Sequence, residues 1–92
     1  MLNYRWYGEN TAATPLVVLH GLLGSLENWH SFANAQAGQR RVLAVDLRNH
    51  GRSPHVSGMS YREMVTDVLA VLAQEALTTI DLIGHSMGGK VA

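Results

Sequence analysis

The 92-residue sequence predicts an α/β domain built on a mostly parallel sheet, and three observations carry that expectation. Leu16-Val17-Val18-Leu19, Val42-Leu43-Ala44-Val45 and Thr79 to Ile83 are short apolar runs, the first two without polar interruption, as in strands covered on both faces. Helical patterns separate the runs, giving the order strand, helix, strand, helix, strand that right-handed crossovers produce. Each run leads into a loop rich in glycine or polar residues, where parallel strands present their carboxyl ends.

Taken in order, Leu2 to Tyr7 alternates apolar and polar residues and is rich in aromatics, which suits a half-exposed edge strand. Gly8 to Pro15 reads as a turn. The run Leu16 to Leu19 ends at His20-Gly21-Leu22-Leu23-Gly24, a glycine-punctuated loop. Ser25 is placed to cap a helix through Leu26 to Ala37, with Leu26, Trp29, Phe32 and Ala33 three and four apart and Gly38 as the stop. After Val45, the stretch from Asp46 to Gly58 carries Asn49, Gly51, Pro54 and Gly58 and must be a loop. Ser60 with Glu63 makes a capping box. Met64, Val65, Val68, Leu69, Val71 and Leu72 then form one apolar helix face running up to Ala76. The third apolar strand leads into Gly84-His85-Ser86-Met87-Gly88-Gly89 and the first residues of another helix. No internal repeat, low-complexity tract or linker interrupts this single domain.

Composition excludes several function classes. Seven basic and seven acidic side chains give zero net charge, which leaves no electrostatic footprint for nucleic acid. The absence of cysteine removes disulfides, thiolate metal sites and a thiol nucleophile, so chemistry falls to oxygen, imidazole, carboxylate or backbone groups. The opening Met1-Leu2-Asn3-Tyr4-Arg5-Trp6 lacks a basic segment followed by an apolar stretch, and no apolar run approaches the roughly 20 residues of a spanning helix. The expectation is a cytoplasmic protein without membrane association.

Gly84-His85-Ser86-Met87-Gly88 matches G-x-S-x-G between a strand and a helix, where a sharp turn lifts the serine hydroxyl above the sheet. Gly84 and Gly88 remove side chains that would clash in that turn. The N–H of Met87, opening the next helix, then points at a developing oxyanion with the helix dipole behind it. His20-Gly21-Leu22 leaves the same sheet end, and acyl transfer needs two donors about 3 Å from one oxygen, so the N–H of Leu22 is placed to be the second. His20 itself reads as a hydrogen-bonded structural histidine.

Two competing motifs are weaker. Gly84 to Lys90 also fits G-x-x-x-x-G-K, but Val91 stands where a phosphate-binding loop needs Ser or Thr for magnesium. The polar loop from Asp46 to Ser53 resembles a ligand site, yet His50 and His55 with one aspartate lack metal-ligand spacing. A structural loop, with Arg48 and Asp46 paired behind the site, is the better reading.

His20 to Gly24, Asp46 to Ser53 and Gly84 to Gly89 together resemble the N-terminal signatures of the alpha/beta hydrolase fold, in the right order and over nearly the whole chain. The wording Asp-Leu-Arg-Asn-His-Gly-Arg-Ser, with Asn49 where most relatives have Gly, is similar to the small bacterial esterase and thioesterase subgroup. The resemblance implies that Ser86 is the nucleophile, that the N–H groups of Leu22 and Met87 form the oxyanion hole, and that His20, Gly21, Gly84 and Gly88 support the loop and elbow. Serine here contrasts with the haloalkane dehalogenase and epoxide hydrolase branches, which carry aspartate.

The family's triad continues with an acidic residue and then a histidine beyond the elbow, whereas only Lys90, Val91 and Ala92 follow Gly89. His85 adjoins the serine, and neighbouring side chains in a strand-to-turn geometry point apart. The lid that sets substrate choice in the family also lies downstream. The expectation is therefore a partial domain over residues 1–92, the N-terminal portion of the fold truncated after the elbow. By itself it would be close to inactive and would self-associate through its uncovered sheet. The implied reaction is hydrolysis of a small acyl ester or thioester with no cofactor and no metal. Two alternatives stand beside it: a non-catalytic interaction protein or degraded gene product on the same scaffold, and a carbon-carbon bond hydrolase or perhydrolase of the same fold.

Overall fold

The structure, a computed structural model, describes residues 1–9 and 11–92. Four strands, β1 (Tyr4–Tyr7), β2 (Leu16–Leu19), β3 (Val42–Val45) and β4 (Asp81–Gly84), form one sheet in the order β1-β3-β2-β4. β2 pairs in parallel with both β3 and β4, and β1 pairs antiparallel with β3. The sheet is mostly parallel, as expected. β1 begins two residues later than the alternation suggested. It does take an edge, and of the 8–15 turn before β2, Asn10 lies outside the described residues.

The alternation hidden inside the apolar runs explains their composition. Val17 and Leu19 of β2, with Leu43 and Val45 of β3, face Met64, Val68 and Val71 of helix α2 (Tyr61–Gln74). Leu16, Val18, Val42 and Ala44 face the opposite way, onto Leu26 and Ala33. Both faces are dry, so neither central strand has a position for a polar residue. The crossover from β2 to β3 and the one from β3 past β2 to β4 run in opposite directions along the sheet, and one handedness therefore places their helices on opposite faces.

Two expectations about helices need correction. The segment predicted as one helix from Leu26 to Ala37 is a 3-10 turn, Leu26–Trp29, followed by α1 (His30–Gln36). Ser25 does cap it, accepting from the Glu27 N–H, while Asn28 reaches back to the Ser25 N–H at 2.9 Å. The tighter coil turns Leu26 beneath the sheet and brings Asn28 and Trp29 to the rim of a cavity. In α2 the Ser60 and Glu63 capping box forms as expected, but Leu69 is 58% exposed. At 100° per residue Leu69 falls about 140° from Met64, off the stripe that Met64, Val68 and Val71 define.

α2 ends in a reciprocal pair of backbone bonds, Ala76 N–H to Ala73 C=O and Leu77 N–H to Leu72 C=O, with Ala76 left-handed at φ 56°. Its last carboxylate, Glu75, accepts from Tyr4 Oη at 2.7 Å and Trp6 Nε1 at 2.6 Å, which ties the helix to β1 and holds the carboxyl below its ordinary range.

β4 differs from its parallel neighbours. Leu82 and Ile83 are 39% and 38% exposed, because among the described residues nothing pairs beyond this strand and no helix covers its outer half. Helix α3 (Met87–Val91) follows it, burying Gly88 and Val91. Among the described residues, no helix is long and apolar enough to cross a membrane.

Candidate active site

β2 sits between β3 and β4, so the crevice at its carboxyl end is a topological switch point, where ligands bind in open α/β sheets. The loop after β2 and the turn after β4 meet there. His20, Gly21, Leu22, His85 and Ser86 line a cavity of about 530 Å³, with Leu23, Gly24, Asn28 and Trp29 completing its wall.

The turn after β4 is strained at one residue. Ser86 has φ 55° and ψ −115°, a region where L side chains crowd their own backbone, at a typical cost of about 1–3 kcal/mol. Its side chain is exposed and makes no capping bond to α3, so the hydroxyl is committed to nothing in the helix. The flanking glycines are required by close approach: a Cβ on Gly84 would lie 2.3 Å from the Gly88 oxygen. One on Gly88 would lie 2.5 Å from the carbonyl oxygens of both Leu19 and His20. These contacts press the start of α3 onto the end of β2. Met87 opens α3, and its N–H belongs to the first turn, which has no intrahelical acceptor.

Gly21 brings the two loops together, since a Cβ there would meet His85 Nδ1 at 3.2 Å and Ser86 Cβ at 3.4 Å. The Gly24 N–H closes a tight turn on the Gly21 C=O at 3.0 Å, with Leu23 left-handed at φ 63°. Leu22 and Leu23 project from this turn, 63% and 89% exposed.

His20 is buried beneath the turn, 1% exposed. Its Nε2 accepts from the Leu47 N–H at 3.0 Å, so the ring proton sits on Nδ1 and donates to the Gly21 C=O at 2.7 Å. Burial pushes the imidazole below its ordinary pKa, favouring this neutral form. Through these two bonds His20 joins the loop after β2 to the loop after β3.

The Asp46 to Ser53 loop braces this arrangement, by a different pairing from the one expected. Arg48 does not pair with Asp46. It lies over α2, bonding Asp67 through Nε at 2.6 Å and Nη2 at 3.0 Å, and Glu63 through Nη1 at 3.0 Å. The Asp46 carboxylate, 2% exposed, is filled instead by three N–H donors: Leu26 N at 2.7 Å, Asn3 Nδ2 at 2.8 Å and Arg52 N at 3.0 Å. Gly51 leaves room for it, since a Cβ there would lie 2.4 Å from the carboxylate. Asn49 is left-handed at φ 64°, a region that asparagine tolerates better than most side chains.

His50 is the contributor that sequence reasoning undervalued. Its Nε2 accepts from the Leu23 N–H at 3.0 Å, and its Nδ1 donates to the Arg48 C=O at 2.8 Å. Nothing in the spacing separates this role from that of any polar loop histidine. Asn28 and Trp29, which helical spacing alone marks only as helix residues, stand at the cavity wall.

The family model of the alpha/beta hydrolase fold matches residues 14–92. The chain belongs to the alpha/beta hydrolase fold family. Within this hydrolase family it is 47% identical over 93 residues to an sn-1-specific diacylglycerol lipase, ABHD11, of Danio rerio, matching 99% of this chain and 29% of that protein. It is 40% identical over 77 residues to the esterase YbfF of Escherichia coli, covering 84% of this chain and 30% of the esterase. Among solved structures, a marine microorganism esterase superposes with a TM-score of 0.94 at 46% identity, over 99% of this chain and 34% of that one. The chain thus spans about a third of the length of the hydrolases it matches, and those relatives include esterases and lipases.

Proposed function

We propose that Ser86 is the nucleophile of a serine hydrolase that cleaves a small acyl ester or thioester. The observation that carries the reading is the strained, exposed Ser86 between β4 and α3, facing the Gly21 to Gly24 turn across one cavity. A hydroxyl held clear of the helix in an unfavourable backbone region is a feature the fold maintains against its own stability.

In this reading Ser86 Oγ attacks the acyl carbonyl carbon and gives its proton to a general base. The carbonyl oxygen gathers negative charge in the tetrahedral intermediate, which the N–H groups of Leu22 and Met87 stabilise. The intermediate collapses with loss of the alcohol or thiol, leaving an ester on Ser86 that water then hydrolyses to the free acid. In this reading the base and its acidic partner belong to the roughly two thirds of the relatives' length that this chain does not span. The isolated chain is therefore nearly inert, since loss of the base costs on the order of 10⁴ to 10⁶ in turnover. The esterase and diacylglycerol lipase names of the relatives support ester substrates.

The test is hydrolysis of p-nitrophenyl butyrate and of a butyryl thioester by the full-length protein and its Ser86→Ala variant. Turnover that disappears in the variant supports the reading, and unchanged turnover removes it. The ratio of the two substrates ranks ester against thioester.

A further inference from the structure

The geometry points to His50 as a positioning residue that holds the Leu22 N–H in register for the oxyanion, acting through the backbone of Leu23. This role rests on the proposed serine hydrolase chemistry and adds to it a residue outside the Gly21 to Gly24 loop.

The Leu22-Leu23 tip is the most exposed part of the site and carries a conformation that leucine does not favour, with Leu23 at φ 63°. Its turn is closed by a single backbone bond, Gly24 N–H to Gly21 C=O. The Leu23 N–H points out of the turn and lands on His50 Nε2 at 3.0 Å. Fixing that amide fixes the plane of the Leu22–Leu23 peptide, the second of the two planes that meet at Leu22; the first, Gly21–Leu22, carries the Leu22 N–H and is held through the Gly21 C=O by His20 Nδ1 and the Gly24 N–H, so His50 removes the remaining freedom at Leu22. Oxyanion stabilisation depends on the donor being in place before charge develops, so a tip free to rotate loses transition-state binding.

His50 suits this task because its own orientation is settled. The Arg48 C=O takes the Nδ1 proton at 2.8 Å, which leaves Nε2 as an acceptor. His50 is buried, and its ring lies 5.0 Å from that of His20, whose Nε2 in turn holds the Leu47 N–H. The tip is therefore anchored to a loop that is itself anchored back to the base of the tip.

Four full-length proteins decide the matter: wild type, His50→Gln, His50→Asn and Ser86→Ala, assayed for kcat and KM on p-nitrophenyl butyrate with melting temperatures alongside. Glutamine places its amide oxygen near the position of Nε2, whereas asparagine is too short to reach Leu23. The expected result is a kcat lower by about 10- to 100-fold in His50→Asn with KM within about threefold, part of the roughly 10²- to 10³-fold cost of losing one donor. His50→Gln recovers most of that loss. Equal kcat in the two His50 variants overturns the role, as does a loss in both that follows the melting temperature. A fully active Ser86→Ala instead overturns the serine hydrolase reading and this role with it, so the two failures are told apart.

Discussion

His20 and His50 are reciprocal: each leaves the loop after one central strand and accepts an amide from the loop after the other. His20 Nε2 takes the Leu47 N–H and His50 Nε2 takes the Leu23 N–H, both at 3.0 Å. Each ring disposes of its Nδ1 proton on a backbone carbonyl of its own loop, Gly21 or Arg48. The candidate site is therefore framed by two buried histidines whose four ring nitrogens all engage backbone groups.

Stability should fall in mild acid because of His20. Burial holds its folded pKa below the ordinary value, so near and below about pH 6.5 the unfolded chain takes up a proton that the folded chain refuses. The contribution is fully present above that pH and is lost as pH falls toward the folded pKa, with a slope of at most about 1.36 kcal/mol per pH unit. Urea midpoints of the full-length protein at pH 7.5 and 5.5 check this against His20→Gln, which should show the flatter pH dependence. Equal slopes would contradict it.

Gly88→Ala should be among the most damaging single changes, at about 3 kcal/mol or more, because its Cβ would lie 2.5 Å from two backbone oxygens that cannot retreat. Gly38→Ala, where among the described residues nothing lies within 4 Å, should be neutral or slightly stabilising. Chemical denaturation of the two variants side by side separates close approach from the general loss of a glycine.

Ala76→Gly should stabilise the protein by about 0.5–1 kcal/mol, because Ala76 occupies the left-handed position that ends α2 and pays a Cβ penalty there. A drop in melting temperature would show that the helix end is set by packing of Leu72 and Leu77 rather than by backbone strain.

Asp46→Asn should cost about 2–4 kcal/mol. Its carboxylate meets three N–H donors and an amide would turn two hydrogens toward some of them, leaving buried donors unsatisfied. Arg48→Ala, which breaks a partly exposed pair with Asp67 and Glu63, should cost less, about 1 kcal/mol. The order of the two denaturation midpoints is the readout, and the reverse order would contradict the brace assigned to Asp46.

Most of the scaffold was legible because it depends on local rules. Leu16 to Leu19 and Val42 to Val45 had to be covered on both faces, Ser60 and Glu63 announced the start of α2, and Gly84 and Gly88 marked a turn needing bare backbone. What escaped depends on partners distant in sequence. Arg48 and Asp46 are two residues apart and oppositely charged, yet each finds better partners elsewhere, Arg48 on α2 and Asp46 on Leu26, Asn3 and Arg52. The 3-10 turn at Leu26–Trp29 preserves the spacing of a helix while changing which residues reach the cavity. His50 to Leu23 spans 27 residues, beyond what spacing within a motif can express.

The most direct test is the site of covalent modification. The full-length protein is treated with a fluorophosphonate and the adduct is mapped by peptide mass spectrometry while esterase activity is followed. A serine hydrolase acting through Ser86 gives one stoichiometric adduct on the peptide holding Gly84 to Gly88, with activity falling in proportion and no adduct in Ser86→Ala. An adduct elsewhere that tracks the loss of activity, or full activity with Ser86 modified, would contradict the account.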